Sequence, residues 1–380
     1  MMGAFGFALP GQVLFGRGEA QKAPGLIAAF GGRGLVVHGQ SAARAAWLVD
    51  ALREMGQHVE TLACGSEPTL LMLTAALDQA RRARPDWVVA LGGGATIDMG
   101  KALAALIPAP GTPMDHLEVV GRALPLAAPP LPFIAMPTTA GTGAEATRNA
   151  VIGLPDHGRK VSLRDMRMLP RLAIVDPGLT DDCPRAVTLA SGLDALAQVV
   201  EPYVSSRATP FTDALTRPVI APGIGALTRL MAGEDKAARD TMAWVSLTGG
   251  IALANGGLGA VHGLAGVIGG VTSAAHGAIC GATLGPVLAM NRAKAQGEAA
   301  ARLATVCDLI GAALSVSGAE APSALAAWAK AAGLPGLVAQ GLDPAHHAEV
   351  AKSAMESSSF KGNPVALTPA DLEEVLAEAG

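Results

Sequence analysis

With 380 residues, 50% hydrophobic but only 3% aromatic, the chain is long enough for two domains, because single cores stop growing near ~250 to 300 residues. Its formal net charge of -4 leaves no basic surplus to neutralise a phosphate backbone, which argues against a polynucleotide partner. Cys64, Cys183, Cys280 and Cys307 form no CxxC pair and no disulfide framework, so reduced thiols in a cytoplasm are expected, and the N-terminal stretch lacks the basic flank and continuous apolar segment of a signal peptide.

From about residue 30 to 180, short β-rich runs alternate with helical patterns. Residues 34–38 (GLVVH), 58–62 (HVETL), 87–91 (WVVAL), 132–136 (PFIAM) and 172–176 (LAIVD) read as strands, and 41–56, 69–84 and 95–106 carry apolar residues at helical spacing. This alternation predicts right-handed crossovers and a mostly parallel, doubly wound, Rossmann-like sheet. The Pro-rich residues 107–132 read as a long loop with a short irregular strand at 117–120. Beyond Asp176-Pro177 the strand signals stop. Residues 184–200, 211–231, 237–254, 277–290, 295–313, 322–332, 345–356 and 369–379 read as helices, several preceded by Ser, Thr or Asp as caps. The expected organisation is an α/β nucleotide-binding domain over residues 1–178 and an all-α C-terminal domain over 179–380.

Gly92-Gly93-Gly94-Ala95-Thr96-Ile97-Asp98 follows the third of these strands and opens a helix. Its glycines let the backbone approach a ligand without Cβ clashes, and the helix start offers N–H groups and a positive dipole end to a phosphate. The spacing is not the Rossmann GxGxxG, and a tight turn without a ligand would use the same residues. A second loop, Met136 to Glu145, follows the next strand and adds the hydroxyls of Thr138, Thr139 and Thr142, which can bond phosphate or ribose oxygens. Two such loops at adjacent strand ends favour nucleotide binding over a plain turn, because ligands of doubly wound sheets sit beyond the carboxyl ends of strands.

Residues 241–291 contain no Asp, Glu, Lys or Arg and carry His262 and His276. Such a run is either a buried helical pair or a membrane hairpin. Apolar continuity breaks at Asn255-Gly256-Gly257, and no Trp/Tyr belt flanks both ends, so burial in protein is preferred. Fourteen residues along one straight helix would separate the two imidazoles by roughly 21 Å. A common focus therefore requires a turn, and Gly269-Gly270 supplies a place for it.

The ordered motifs resemble the iron-containing alcohol dehydrogenase family, whose fold is of the dehydroquinate synthase type. Residues 92–101 (GGGATIDMGK) are similar to its GGGSxxDxxK element, and 137–145 (PTTAGTGAE) to its PTTxGTGSE element. Ala173 to Pro177, Ser191 to Leu196 and Val261-His262-Gly263 continue the match. The resemblance implies an NAD(P)-dependent oxidoreductase that passes a hydride between nicotinamide and a small alcohol or aldehyde. It puts the pyrophosphate on Gly93 and Gly94, with Asp98, Thr138, Thr139, Thr147, Asn149 and Lys160 completing the site.

Family members hold a divalent metal through one aspartate and three histidines, and the metal polarises the substrate oxygen. Asp194, His262 and His276 match three of these positions. Gln198 stands where the remaining histidine falls, on the same helix face as Asp194 and Glu201. An amide oxygen is a weaker donor for iron or zinc than an imidazole. Gly266 replaces a further family histidine that assists proton transfer. Three readings follow: a divalent metal on Asp194, Gln198, His262 and His276; a metal-independent reductase of the maleylacetate-reductase type using His262 or His276 as proton donor; or a catalytically impaired nucleotide-binding homologue. The first is preferred.

The cofactor's ribose is expected at Gly39-Gln40-Ser41. A carboxylate at position 39 would bond the 2′-OH of NAD and repel a 2′-phosphate. Gly39 repels nothing, Gln40 and Ser41 can donate hydrogen bonds, and Arg44 follows one turn on, so NADP(H) is favoured over NAD(H). A small-molecule substrate, a homodimer and a cytoplasmic location without a membrane partner complete the expectations.

Overall fold

A computed structural model describes residues 4–380. Residues 9–139 and 144–180 form one compact unit. It contains β1 (Val13–Phe15), β2 (Arg33–His38), β3 (His58–Ala63), β4 (Trp87–Gly92), β5 (Phe133–Pro137), β6 (Asn149–Leu154), β7 (Arg159–Arg164) and β8 (Leu172–Val175). Six of these make a sheet in the order β1-β8-β5-β4-β2-β3 with every pairing parallel. Helices α1 (Ala23–Ala28), α2 (Ala43–Glu54), α3 (Leu70–Ala83) and α4 (Gly94–Leu106) supply the crossovers.

Both sheet faces are covered, which explains why the strands read as nearly continuous apolar runs. Leu35, Val37, Val88 and Ala90 belong to one core, while Val36, Val89 and Trp87 belong to the other. From β2 the chain moves outward to β3, then returns to place β4 on the other side of β2 and continues to β5. That reversal is a topological switch point, the usual ligand position in such sheets. The register pairs His38 with Leu91, so the residues after β2 and β4 emerge side by side.

Two local expectations change here. Residues 117–120 form no strand; the ordered piece is the one-turn helix α5 (Pro113–His116), begun by a capping box between Thr112 and Asp115 with Pro113 in the first turn. The antiparallel hairpin of β6 and β7 was not anticipated. Its turn, Pro155-Asp156-His157-Gly158, places Gly158 at φ 56°, a left-handed conformation that glycine adopts without strain.

Residues 181–380 form a second unit with residues 4–8 and 140–143. Its helices are α6 (Arg185–Val204), α7 (Pro210–Thr216), α8 (Ile220–Ala232), α9 (Lys236–Gly256), α10 (Ala260–Val271), α11 (His276–Lys294), α12 (Gly297–Leu314), α13 (Ala321–Ala331), α14 (His347–Glu356) and α15 (Pro369–Glu378). The single helix expected over 211–231 is divided by a 3-10 turn at Arg217–Val219, where Pro218 removes an N–H and restricts the residue before it.

The uncharged run spans most of α9, all of α10 and most of α11. Its second reversal lies at residues 272–275, not at Gly269-Gly270. Helix α10 continues through both glycines and ends at Thr272, whose N–H and hydroxyl both donate to the Ile268 carbonyl, at 2.9 and 2.8 Å. Small residues allow close contact: a Cβ on Gly250 would lie 2.2 Å from the Gly143 carbonyl oxygen, and one on Gly281 would lie 2.6 Å from Leu193 Cδ1. No single helix among the described residues is long and apolar enough to cross a membrane; α9 and α10 qualify only together and are bent by 99° at their junction.

Candidate nucleotide site and metal centre

Gly93 is the N-cap of α4 and makes no side-chain cap bond, so the first N–H groups of the helix have no intrahelical acceptor. The neighbouring loop lies directly against it. Thr138 N–H donates to the Gly92 carbonyl at 3.0 Å, and a Cβ on Gly93 would sit 3.3 Å from Thr139 Oγ1. Gly39 follows β2 at the same sheet edge, where the nearest atom to a built Cβ is Thr96 Oγ1 at 4.0 Å. Gln40, Ser41 and Arg44 are exposed. The structure thus gathers Gly39, Gly93, Gly94, Thr138 and Thr139 at the switch point.

Other expected cofactor residues tie α4, or the loop before α3, to the β6–β7 hairpin and the segment leading into it. The Asp98 carboxylate accepts the Val151 N–H at 3.1 Å, and Lys160 pairs with Glu67. Thr147 Oγ1 and the Asn149 carbonyl accept from Lys101 Nζ at 2.9 and 3.0 Å. Thr142 belongs to the segment 140–143 of the helical unit.

Lys101 had no assigned role, yet it is 1% exposed and also donates to the carbonyls of Ala144 and Thr147, at 2.7 and 2.9 Å. Burial brings its ammonium down to about 8 against the opposing pull of Asp98 and Glu145. Glu145, also buried, is pushed up to about 7 by desolvation, with its own backbone hydrogen bond and Lys101 opposing.

In the helical unit, Asp194, Gln198 and Glu201 follow one another on one face of α6, and all three are buried. His262 comes from α10, and His276 and Cys280 stand one turn apart at the start of α11. His262 Nε2 lies 3.2 Å from Asp194 Oδ1 and His276 Nε2 lies 4.0 Å from the same oxygen. Cys280 Sγ lies 3.7 Å from His276 Nε2. Donor atoms of Asp194, His262, His276 and Cys280 all lie within 4.8 Å of one another.

Glu201 organises this cluster from behind. One of its carboxylate oxygens accepts the Val261 N–H at 2.7 Å, in the first turn of α10, and the other holds His262 Nδ1 at 2.6 Å. His262 Nε2 is thereby aimed at Asp194, the arrangement by which an outer carboxylate orients a metal-binding imidazole.

The electrostatics favour positive charge at the centre. Burial would raise Asp194, but His262, His276 and the Gln198 side chain hold its carboxyl below the ordinary value. Burial likewise opposes charge on the imidazoles. Cys280 and Asp194 outweigh it, joined at His262 by Glu201, so His262 lies well above its ordinary value and His276 rises to about 9.

The description "Iron-containing alcohol dehydrogenase" matches residues 10–177, and "Fe-containing alcohol dehydrogenase family, C-terminal" matches residues 188–380. The chain belongs to the iron-containing alcohol dehydrogenase family. It is 34% identical to the probable alcohol dehydrogenase EutG of Salmonella typhimurium, over 83% of this chain and 78% of that protein. It is also 34% identical to an NAD-dependent methanol dehydrogenase of Bacillus methanolicus, over 82% of each. An alcohol dehydrogenase structure from Oenococcus oeni superposes with a TM-score of 0.89 at 26% identity, covering 99% of this chain and 100% of that one. The protein is an oxidoreductase of this family, which uses NAD(H) and a divalent metal.

The residues present fit such a metal. Asp194 Oδ1, Gln198 Oε1 and His262 Nε2 are buried without a hydrogen-bond partner; the 3.2 Å approach between the first and the last lacks hydrogen-bond geometry. Leaving such atoms unsatisfied costs about 1–3 kcal/mol each, more for charged groups, and a cation at their focus removes that cost. This convergence argues against the metal-independent alternative. Cys280 belongs to no CxxC pair, so cysteine spacing does not mark it as a ligand; its signal is the i+4 spacing from His276, which places both on one helix face.

Proposed function

We propose that this enzyme interconverts a small primary alcohol and its aldehyde, prefers NADP(H) to NAD(H), and holds its divalent metal with Asp194, His262 and His276, with Gln198 beside them. The observation that carries the reading is the focus of unsatisfied, buried donors at Asp194 and His262. Relatives named for methanol and 4-hydroxybutyrate support a short hydroxyl-bearing substrate. The nucleotide is read onto Gly39, Gln40, Ser41, Gly93, Gly94, Asp98, Thr138, Thr139, Thr142, Thr147, Asn149 and Lys160.

A bound divalent metal supplies Lewis-acid polarisation of the substrate oxygen. Asp194 provides the negative charge that retains the ion, and Glu201 keeps the His262 ring aimed. His276 is 31% exposed, which makes it the imidazole through which the centre meets solvent. Gly266 lies one turn beyond His262, and no atom stands within 4 Å of where its Cβ would be. Glycine at this position offers no group to take the substrate proton.

The NADP(H) preference rests on Gly39, where no carboxylate opposes a 2′-phosphate. A cytoplasmic homodimer is part of the same reading; the four free cysteines and the exposed Phe5, Leu9 and Phe15 support it. Metal content and steady-state kinetics on one preparation test the proposal. One divalent ion per chain and a higher kcat/KM with NADPH than with NADH are expected. Far more efficient use of NADH rejects the cofactor preference, and a chain that takes up no metal rejects the centre.

A further inference from the structure

We propose that the Cys280 thiolate is the fourth protein ligand of the metal, in the place left open where Gln198 stands instead of histidine, and that the resulting donor set takes zinc in preference to ferrous iron. This rests on the reading of Asp194, His262 and His276 as ligands. Metal–ligand lengths of about 2.0 Å to nitrogen or oxygen and about 2.3 Å to sulfur give a tetrahedral site ligand-to-ligand edges of about 3.3 to 3.6 Å. Three of the six edges are 3.2 Å between His262 and Asp194, 4.0 Å between His276 and Asp194, and 3.7 Å between His276 and Cys280. The other three are no longer than 4.8 Å, so the four donors can close on one ion by side-chain adjustment.

The sulfur does not stand alone. Asp194 and His262 are 1% and 5% exposed, and each aims an unpartnered atom into the same space. Cys280 is fully buried, and α11 brings it to the centre together with His276. Gln198 has a different use: its side chain interacts with the Asp194 carboxylate and helps keep it ionised. Its remaining oxygen is a neutral amide carbonyl, a poorer donor to zinc than a thiolate. As the metal binds, the sulfur–metal and nitrogen–metal bonds form and the protons held on those donor atoms pass to solvent, so uptake releases protons. Sulfur in the donor set favours zinc, whereas a set of oxygen and imidazole alone does not discriminate in that way.

The test uses cobalt(II) as a spectroscopic stand-in for zinc, titrated into the chelated, full-length protein. One equivalent is expected to bind with a strong thiolate-to-cobalt charge-transfer absorption in the near ultraviolet. Cys280→Ser is expected to lose that band and weaken binding by about 10-fold or more, while Gln198→Ala keeps the band. Zinc should displace the cobalt at lower concentration than ferrous iron does. Stoichiometric cobalt without the band, or a band that survives Cys280→Ser, overturns the Cys280 assignment and leaves the Asp194 and histidine reading standing. No cobalt bound by the wild type overturns both. The wild-type spectrum decides the matter even if the serine variant fails to fold.

Discussion

Lys101 in the α/β unit and Asp194 in the helical unit are both charged and almost fully buried, yet their surroundings differ in kind. Four oxygens surround the Lys101 ammonium at 2.7 to 3.0 Å. Around Asp194, by contrast, one carboxylate oxygen, an amide oxygen and an imidazole nitrogen lack partners. Burial penalises charge equally in both places. A saturated cluster holds a fold together; an unsaturated one stores affinity for something not yet bound. Lys101 ties α4 to the segment leading into β6, whereas Asp194 sits where three helices present donors to a common point.

The largest expected effect separates these roles directly. Lys101→Met removes the shared donor to these buried oxygens and should cost about 3 kcal/mol of stability, since a buried acceptor left unsatisfied costs about 1–3 kcal/mol. Asp194→Asn should cost well under half of that in the metal-free protein, but abolish stoichiometric metal uptake. Urea denaturation of chelated samples measures both. Equal destabilisation by the two variants would erase the distinction.

A second test concerns space left open at the switch point. Gly39→Asp can be accommodated, since the nearest atom to its Cβ is 4.0 Å away, and a carboxylate there repels a 2′-phosphate. The ratio of kcat/KM for NADPH over NADH should fall by about 10-fold or more, an effect of about 1.4 kcal/mol. An unchanged ratio would show that position 39 does not face the ribose.

The smallest effect is a pH dependence in the saturated cluster. Glu145 titrates near 7 in the fold, against an ordinary 4.5. The folded state therefore holds the proton more tightly, and this contribution is fully present below 4.5 and lost as pH rises through 7. Stability of the wild type relative to Glu145→Gln should improve by on the order of 1 kcal/mol between pH 8 and pH 5. A pH-independent difference would show that Glu145 does not titrate in this window.

Much of this architecture was legible from local signals. Alternating β-rich and helical runs gave the parallel sheet, and the glycines at 92–94 marked the turn that now stands at the switch point. Asp194, Gln198 and Glu201 could be placed on one helix face by spacing alone. The break at Pro218 was also visible in the chain, but apolar periodicity on both sides obscured it. The reversal at residues 272–275 was harder: Gly269-Gly270 looked like the turn, whereas Thr272 ends the helix through two bonds to one carbonyl. Lys101 and Cys280 show the deeper limit. Each acquires its meaning from groups distant in sequence, Thr147 and Asn149 for one, Asp194 and His262 for the other, and local patterning does not encode such meetings.

Glu201 adds a consequence for assembly. Gly259, at the start of α10, has no side chain with which to cap the helix. Its first turn relies instead on Asn363 for Ala260 N–H and on Glu201 for Val261 N–H. Because the same Glu201 carboxylate aims His262, seating this helix and orienting the imidazole are a single event. A nascent chain acquires its aimed donor only when α6 and α10 have met. Metal capture therefore reports that these two helices have packed, and a fragment lacking α6 would carry His262 without the means to point it.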